Sequence, residues 1–138
     1  MRIYTSYFAN GKKLSSANVM MVGIVLFLPK WFHGASLKQL APSYSIFNDK
    51  PFSEERYTQR FRHEVLSRID PYWVIEALER LGGGRDVAIC CYEKPGDFCH
   101  RHLVAQWLTE NTGIEVTEFG EDDKKTETPQ PRQLSLFD

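Results

Sequence analysis

The chain has 138 residues, of which 42% are hydrophobic and 25% charged, with a formal net charge of −1. That length holds about one domain of roughly 100–200 residues, and the composition excludes both a largely disordered chain and a collagen-like repeat. The balanced charge excludes a global basic field, so any contact with nucleic acid must come from a local patch.

Residues 2–8 (RIYTSYF) are β-branched and aromatic and predict a first strand, ended by Ala9-Asn10-Gly11. No apolar stretch with a small-residue cleavage site stands near the start, so no secretory signal is expected. Residues 19–28 (VMMVGIVLFL) form an apolar run closed by Pro29. It is about half of a membrane span, so no membrane partner is expected. Its lack of alternation predicts a strand covered on both faces, hence a parallel sheet with helices either side.

Residues 30–50 read as irregular and, being longer than most loops, as a candidate functional segment. Residues 51–69 then predict a helix. Ser53 is its N-cap, Glu54 and Glu55 suit the first turn, and Tyr57, Phe61, Val65 and Ile69 recur every four residues. Arg56 and Arg60 share a helical face, with Arg62 and His63 nearby, and read as a solvated face. Asp70-Pro71 starts another helix, with Val74, Ile75, Leu78 and Leu81 inward and Gly82-Gly83-Gly84 at its end.

Residues 86–92 (DVAICCY) predict a second buried strand. Asp97 is a good N-cap for a helix to Asn111 with an apolar stripe of Leu103, Val104, Trp107 and Leu108, and Gly113 follows it. Residues 114–119 (IEVTEF) alternate and make the last strand. The order predicts a small three-layer α/β domain with a mostly parallel sheet over residues 1–120. Residues 121–138 hold five acidic and three basic groups with two prolines and read as a disordered C-terminal tail.

Cys90, Cys91 and Cys99 lie within ten residues of one another, an odd count that makes a poor disulfide framework and fits a reducing cytoplasm. Adjacent Cys90 and Cys91 face opposite sides of a strand and read as core. No metal is expected. There is no second Cys-x-x-Cys pair, and Cys99 and His100, adjacent on one helix, are poorly placed to ligate together. No cofactor can be named from these residues.

The chemistry concentrates in CCYEKPGDFCHRHLVAQWL, residues 90–108, where a buried strand runs through a Pro-Gly loop into a helix. Ligands of open α/β sheets bind just past the carboxyl ends of strands, where Glu93 and Lys94 fall. Cys99 in the first helical turn, beside His100 and Arg101, should have a lowered pKa and be a competent nucleophile. The same amides with Arg101 could instead hold a phosphate. Glu93 would serve as general acid/base, His100 and Arg101 would position or stabilise a phosphate or oxyanion, and Lys94 would be a substrate or phosphate contact. Ser6 and Tyr7, at the end of the first strand, are expected beside the start of this helix as substrate or phosphate contacts. Cys99→Ala and Arg101→Ala are expected to cost only about 1 kcal/mol, because polar groups on a sheet rim carry little core burial.

The segment closely resembles the signature of the domain-of-unknown-function 488 family, in which a strand ending in Cys-x-Glu-Lys leads to a Cys-His-Arg triplet opening a helix. Those positions are Cys91, Glu93, Lys94, Cys99, His100 and Arg101. The resemblance runs over about residues 2–120. It implies an α/β fold with a site at these residues, and it names no reaction. The middle segment (LPKWFHG and APSYSIF) departs from the family's Asp-x-Arg after the second strand, and Lys30 occupies roughly that place as a further phosphate-binding candidate.

Gln133, Leu134, Ser135, Leu136 and Phe137 resemble the pentapeptide by which many bacterial replication and repair proteins hold the sliding clamp of DNA polymerase. Leu134, Leu136 and Phe137 would fill an apolar pocket while Gln133 bonds to backbone at its rim. The function expected is that of a cytoplasmic, bacterial or phage protein, recruited by the clamp to act on DNA or nucleotides in repair, modification or replication. The alternative is a non-catalytic nucleotide- or DNA-phosphate-binding adaptor tethered to the clamp.

Overall fold

In the computed structural model, which describes residues 1–121, five strands form one parallel sheet. They are β1 (Ile3–Tyr7), β2 (Val19–Gly23), β3 (Ala35–Ser36), β4 (Asp86–Cys91) and β5 (Val116–Glu118), in the order β3-β2-β4-β1-β5. The helices are α1 (Gly11–Ser16), α2 (Tyr44–Phe47), α3 (Glu54–Glu64), α4 (Pro71–Gly82) and α5 (His100–Thr112). The expected clamp-binding pentapeptide, residues 133–137, lies outside the described residues.

β4 is central: after Asp86, every residue from Val87 to Cys91 is apolar and buried, as a strand covered on both faces must be. α4 packs on β2 and β4, α5 packs on β1, β4 and β5, and the two helices pack on each other. Register aligns the carboxyl ends, with Tyr7 opposite Cys91 and both Ser6 and Gly23 opposite Cys90. β2 then connects outward to β3, while β4 connects through α5 to β5 on the other side. Connections that diverge in this way open a crevice at the strand ends.

Local signals account for most boundaries. Ser53 Oγ accepts from Arg56 N–H at 3.2 Å to start α3. Asp70 Oδ1 accepts from Tyr72 N–H at 2.9 Å, with Pro71 in the first turn of α4. Gly83 ends α4 at φ 58°, a left-handed conformation that favours glycine.

Other boundaries differ from the sequence expectation. β2 stops at Gly23, where the chain leaves the sheet and residues 24–28 curl over its rim. A side chain at Gly23 would stand 2.5 Å from Leu28 Cδ2 and 3.2 Å from Phe8 Cζ, so glycine is what permits the doubling back. Residues 30–50 are not wholly irregular, since they hold β3, a 3-10 turn and α2, all too short for a periodicity to register. α1 likewise follows β1 where a simple turn was expected.

The helix expected over 51–69 breaks after Glu64 into a 3-10 turn, Leu66–Arg68. The tightened turn carries Leu66, rather than Val65, into the core. α5 is capped by Cys99, not Asp97, because Asp97 N–H bonds Lys94 O at 3.2 Å and closes a turn instead of opening a helix. No helix among the described residues is long and apolar enough to cross a membrane.

Candidate functional site

The crevice is a cavity of about 530 Å³. Its walls come from four distant stretches: Val25, Leu26 and Phe27 after β2, Pro42 and Phe47 near α2, Phe52 and Tyr57 at α3, and Tyr92, Glu93 and Phe98 after β4. Cys99 and His100 complete it. The rings touch one another, with Phe98 5.2 Å from Tyr57 and 5.6 Å from Phe52 between centroids. Phe27, Phe47, Phe52 and Tyr92 remain more than half exposed at its mouth.

The donor atoms of Cys91, Cys99 and His100 lie within 4.8 Å of one another. His100 Nε2 is 2.6 Å from Ile24 O. A carbonyl only accepts, so Nε2 carries a proton, and the sulfur of Cys91 lies beside the ring, 3.6 Å from Nδ1 and 3.7 Å from Nε2. Phe61 packs edge-on against the imidazole at 5.3 Å and fixes its plane. The start of α5 thus receives a histidine oriented from two sides.

The electrostatics push neighbouring groups apart. Cys99 is held well below the ordinary thiol range by a hydrogen bond from Cys91, then by the hydrogen bond and charge of His100 and the backbone N–H of Arg101, against the cost of burial. Cys91 is pushed well above it, first by burial and then by its contact with Cys99. Burial and mutual contact therefore shift the two thiols in opposite directions. Glu93 is raised by burial on its cavity side and then by the charge of Cys99, to which it also hydrogen-bonds. A thiol shifted down beside a carboxyl shifted up is the pairing of a nucleophile with an acid in reach.

The sequence-predicted residues divide accordingly. Cys99, His100 and Glu93 come together. Cys91 is buried in the core as expected, and its sulfur also lies beside Cys99 and His100. Cys90 does turn into the core, its thiol pushed up to about 12 by burial. Strand alternation was the available signal: of two adjacent cysteines at a strand end, only one can face the helix that follows.

Arg101 is adjacent but committed elsewhere. Its side chain is 0% exposed, Nε and Nη2 each lie 3.2 Å from the Glu118 carboxylate, and Nη1 donates to Glu93 O at 2.6 Å. The expectation that it carries little core burial is therefore corrected.

Lys30 and Lys94 point to solvent outside the cavity lining. Ser6 is buried, its hydroxyl accepting from Asn10 Nδ2 at 3.1 Å, and neither it nor Tyr7 lines the cavity. Arg56 and Arg60 pair with Asp49 and Glu64 on the surface, as a solvated face would. The aromatic walls went unread in the sequence, because rings from four segments carry no common spacing.

A parallel α/β domain with a cysteine–histidine–carboxylate cluster at the carboxyl ends of its central strands defines the class of protein. Residues 13–112, which run from α1 to the end of α5 and include the cluster, match the family described as the active DUF488-N3 subclade, N3a. The chain belongs to the DUF488 family. No curated protein and no solved structure matches it.

Proposed function

We propose that the protein is a cytoplasmic enzyme that processes DNA or nucleotides through Cys99 and Glu93, brought to its substrate by a bacterial sliding clamp that binds residues 133–137. The observation that carries the catalytic half is that Glu93, Cys99 and His100 line an aromatic-walled cavity, with the buried sulfur of Cys91 beside Cys99 and His100. The matched subclade is described as active, which supports a catalytic reading. A cavity of about 530 Å³ suits a small ligand, and aromatic walls suit a planar base, which stacks on them whatever its edge pattern.

In this mechanism the Cys99 sulfur attacks an electrophilic atom of the substrate, and the bond to the leaving group breaks with its electron pair. Glu93 gives that group a proton. Cys91 and His100 hold the thiolate in place beforehand, so little reorganisation is needed during reaction. Arg101 is a positioning residue that pins the Glu93 backbone. The clamp half is supported by the five matching residues of the pentapeptide.

The test is site-resolved labelling of the reduced protein with iodoacetamide, read by mass spectrometry, with and without nucleosides and short single-stranded oligonucleotides. Cys99 should label ahead of Cys90 and Cys91, and bound ligand should protect it. Protection without Cys99 preference would favour the non-catalytic binding module. Neither preference nor protection would sink the proposal.

A further inference from the structure

We propose that Cys91, Cys99 and His100 form a Cys₂His site for a thiophilic d¹⁰ cation, zinc, and that its occupancy withdraws Cys99 from nucleophilic chemistry. The regulatory half rests on the function proposed above; the binding half does not.

The geometry carries it. Zinc binds sulfur at about 2.3 Å and imidazole nitrogen at about 2.0–2.1 Å, so a tetrahedral ion holds the two donors about 3.6 Å apart. The donor atoms of the three residues lie within 4.8 Å of one another. Cys91 Sγ stands beside the ring, 3.6 Å from His100 Nδ1 and 3.7 Å from Nε2, and a small swing toward the Nδ1 edge brings it to the position of a shared ion. Nε2 is already committed to Ile24 O, so Nδ1 is the free donor. Metal-binding histidines characteristically donate their other ring N–H to such a carbonyl, which fixes the tautomer and the ring. The ligand set thus comes with its supporting hydrogen bond.

Adjacent Cys99 and His100 were expected to diverge as helix residues do. Cys99 is instead the extended cap of α5, at φ −155° and ψ 139°, outside the helix proper. Its side chain is therefore free of the helical rotation from its neighbour, and both turn toward Cys91. All three ligands are buried, yet Cys99 and His100 line the cavity, which gives the ion a way in and leaves a fourth position open to water.

Two thiolates and a neutral imidazole select a soft ion over magnesium or calcium, and they cancel the charge of a divalent one. Binding releases to solvent the protons that the two thiols and Nδ1 carry. The bonds formed are two Zn–S and one Zn–N, with no change of oxidation state.

The experiment uses the full chain, reduced and stripped by a chelator, with cobalt(II) as spectroscopic probe. One equivalent should give thiolate-to-cobalt charge transfer and tetrahedral visible absorption, and zinc should displace it. Cys91→Ser and Cys99→Ser should each weaken binding by about a hundredfold or more, since even supporting residues of metal sites cost 10–100-fold. Cys90→Ser should leave it unchanged. Absorption without the charge-transfer band, or binding indifferent to both serine variants, overturns the site. Zinc that binds yet leaves iodoacetamide labelling of Cys99 unslowed overturns the regulatory half. Weak labelling of Cys99 in the metal-free protein counts against the proposed enzyme and leaves the metal site standing.

Discussion

Arg101 Nη2 lies 3.2 Å from Glu118 Oε2, with side-chain exposures of 0% and 5%. The pair ties the start of α5 to β5. Thr5 on β1 donates to the same carboxylate at 2.5 Å, and Arg101 Nη1 reaches the Glu93 carbonyl. A motif arginine read from the sequence as an anion-site candidate is instead the joint on which α5, β5, β1 and the loop after β4 meet.

Removing one partner of a buried ion pair strands the other, at about 3–5 kcal/mol. Arg101→Ala should lose about that much stability in urea unfolding, against the roughly 1 kcal/mol expected of a rim residue. Arg101→Met with Glu118→Leu should recover most of it, because the stranded charge is gone. A single-variant loss of about 1 kcal/mol or less would return Arg101 to the list of anion-site candidates.

Alkylation follows the thiolate, so its pH profile reads the state of Cys99. An ordinary thiol, with a pKa of about 8.5, loses reactivity about tenfold for each pH step below that value. Cys99, shifted down, should keep a nearly constant rate from pH 8 to pH 6 and fall only in more acid solution. A tenfold fall between pH 8 and pH 7 would rule the lowered value out.

Contact with Cys91 is the first cause that lowers Cys99. A hydrogen bond to a charged acceptor contributes about 1.5–3 kcal/mol, so Cys91→Ala should move the labelling midpoint of Cys99 upward in pH. Cys91→Ser, which keeps a donor, should move it less. Equal midpoints in all three proteins would show that the thiols are not in contact.

Phe61 is 0% exposed and braces the His100 ring. Phe61→Ala should cost about 3–5 kcal/mol, measured by thermal or chemical unfolding. Phe61→Leu, which keeps most of the volume, should fold more stably yet still slow Cys99 labelling at low pH, because the imidazole loses its fixed plane.

For the clamp, a labelled peptide of residues 121–138 titrated against purified bacterial sliding clamp should saturate in the micromolar range. Replacing Gln133, Leu136 and Phe137 with alanine should abolish binding and leave the stability of the full chain unchanged. Each buried apolar anchor contributes about 2 kcal/mol, so losing two removes much of a micromolar affinity. No saturable binding at high-micromolar clamp would remove the support for recruitment.

Near-neighbour chemistry is what the sequence determined by itself. Caps such as Ser53 and Asp70-Pro71, the left-handed stops at Gly83 and Gly113, and the unbroken apolar run of β4 act within a few residues of where they stand. They were therefore legible, as was the Cys-x-Glu-Lys to Cys-His-Arg signature, which is contiguous in the chain.

Only the tertiary structure decided which side chains meet. Alternation requires one of Cys90 and Cys91 to face α5, but sheet packing chooses Cys91. The spacing of β4 and α5 leaves open whether Arg101 faces ligand or core; the position of β5 beside β1 puts Glu118 there to receive it. The cavity walls depend on β2 ending at Gly23 and on two connections leaving the sheet in opposite directions. Those choices arise from long-range burial and register, to which no single stretch of the chain is privy.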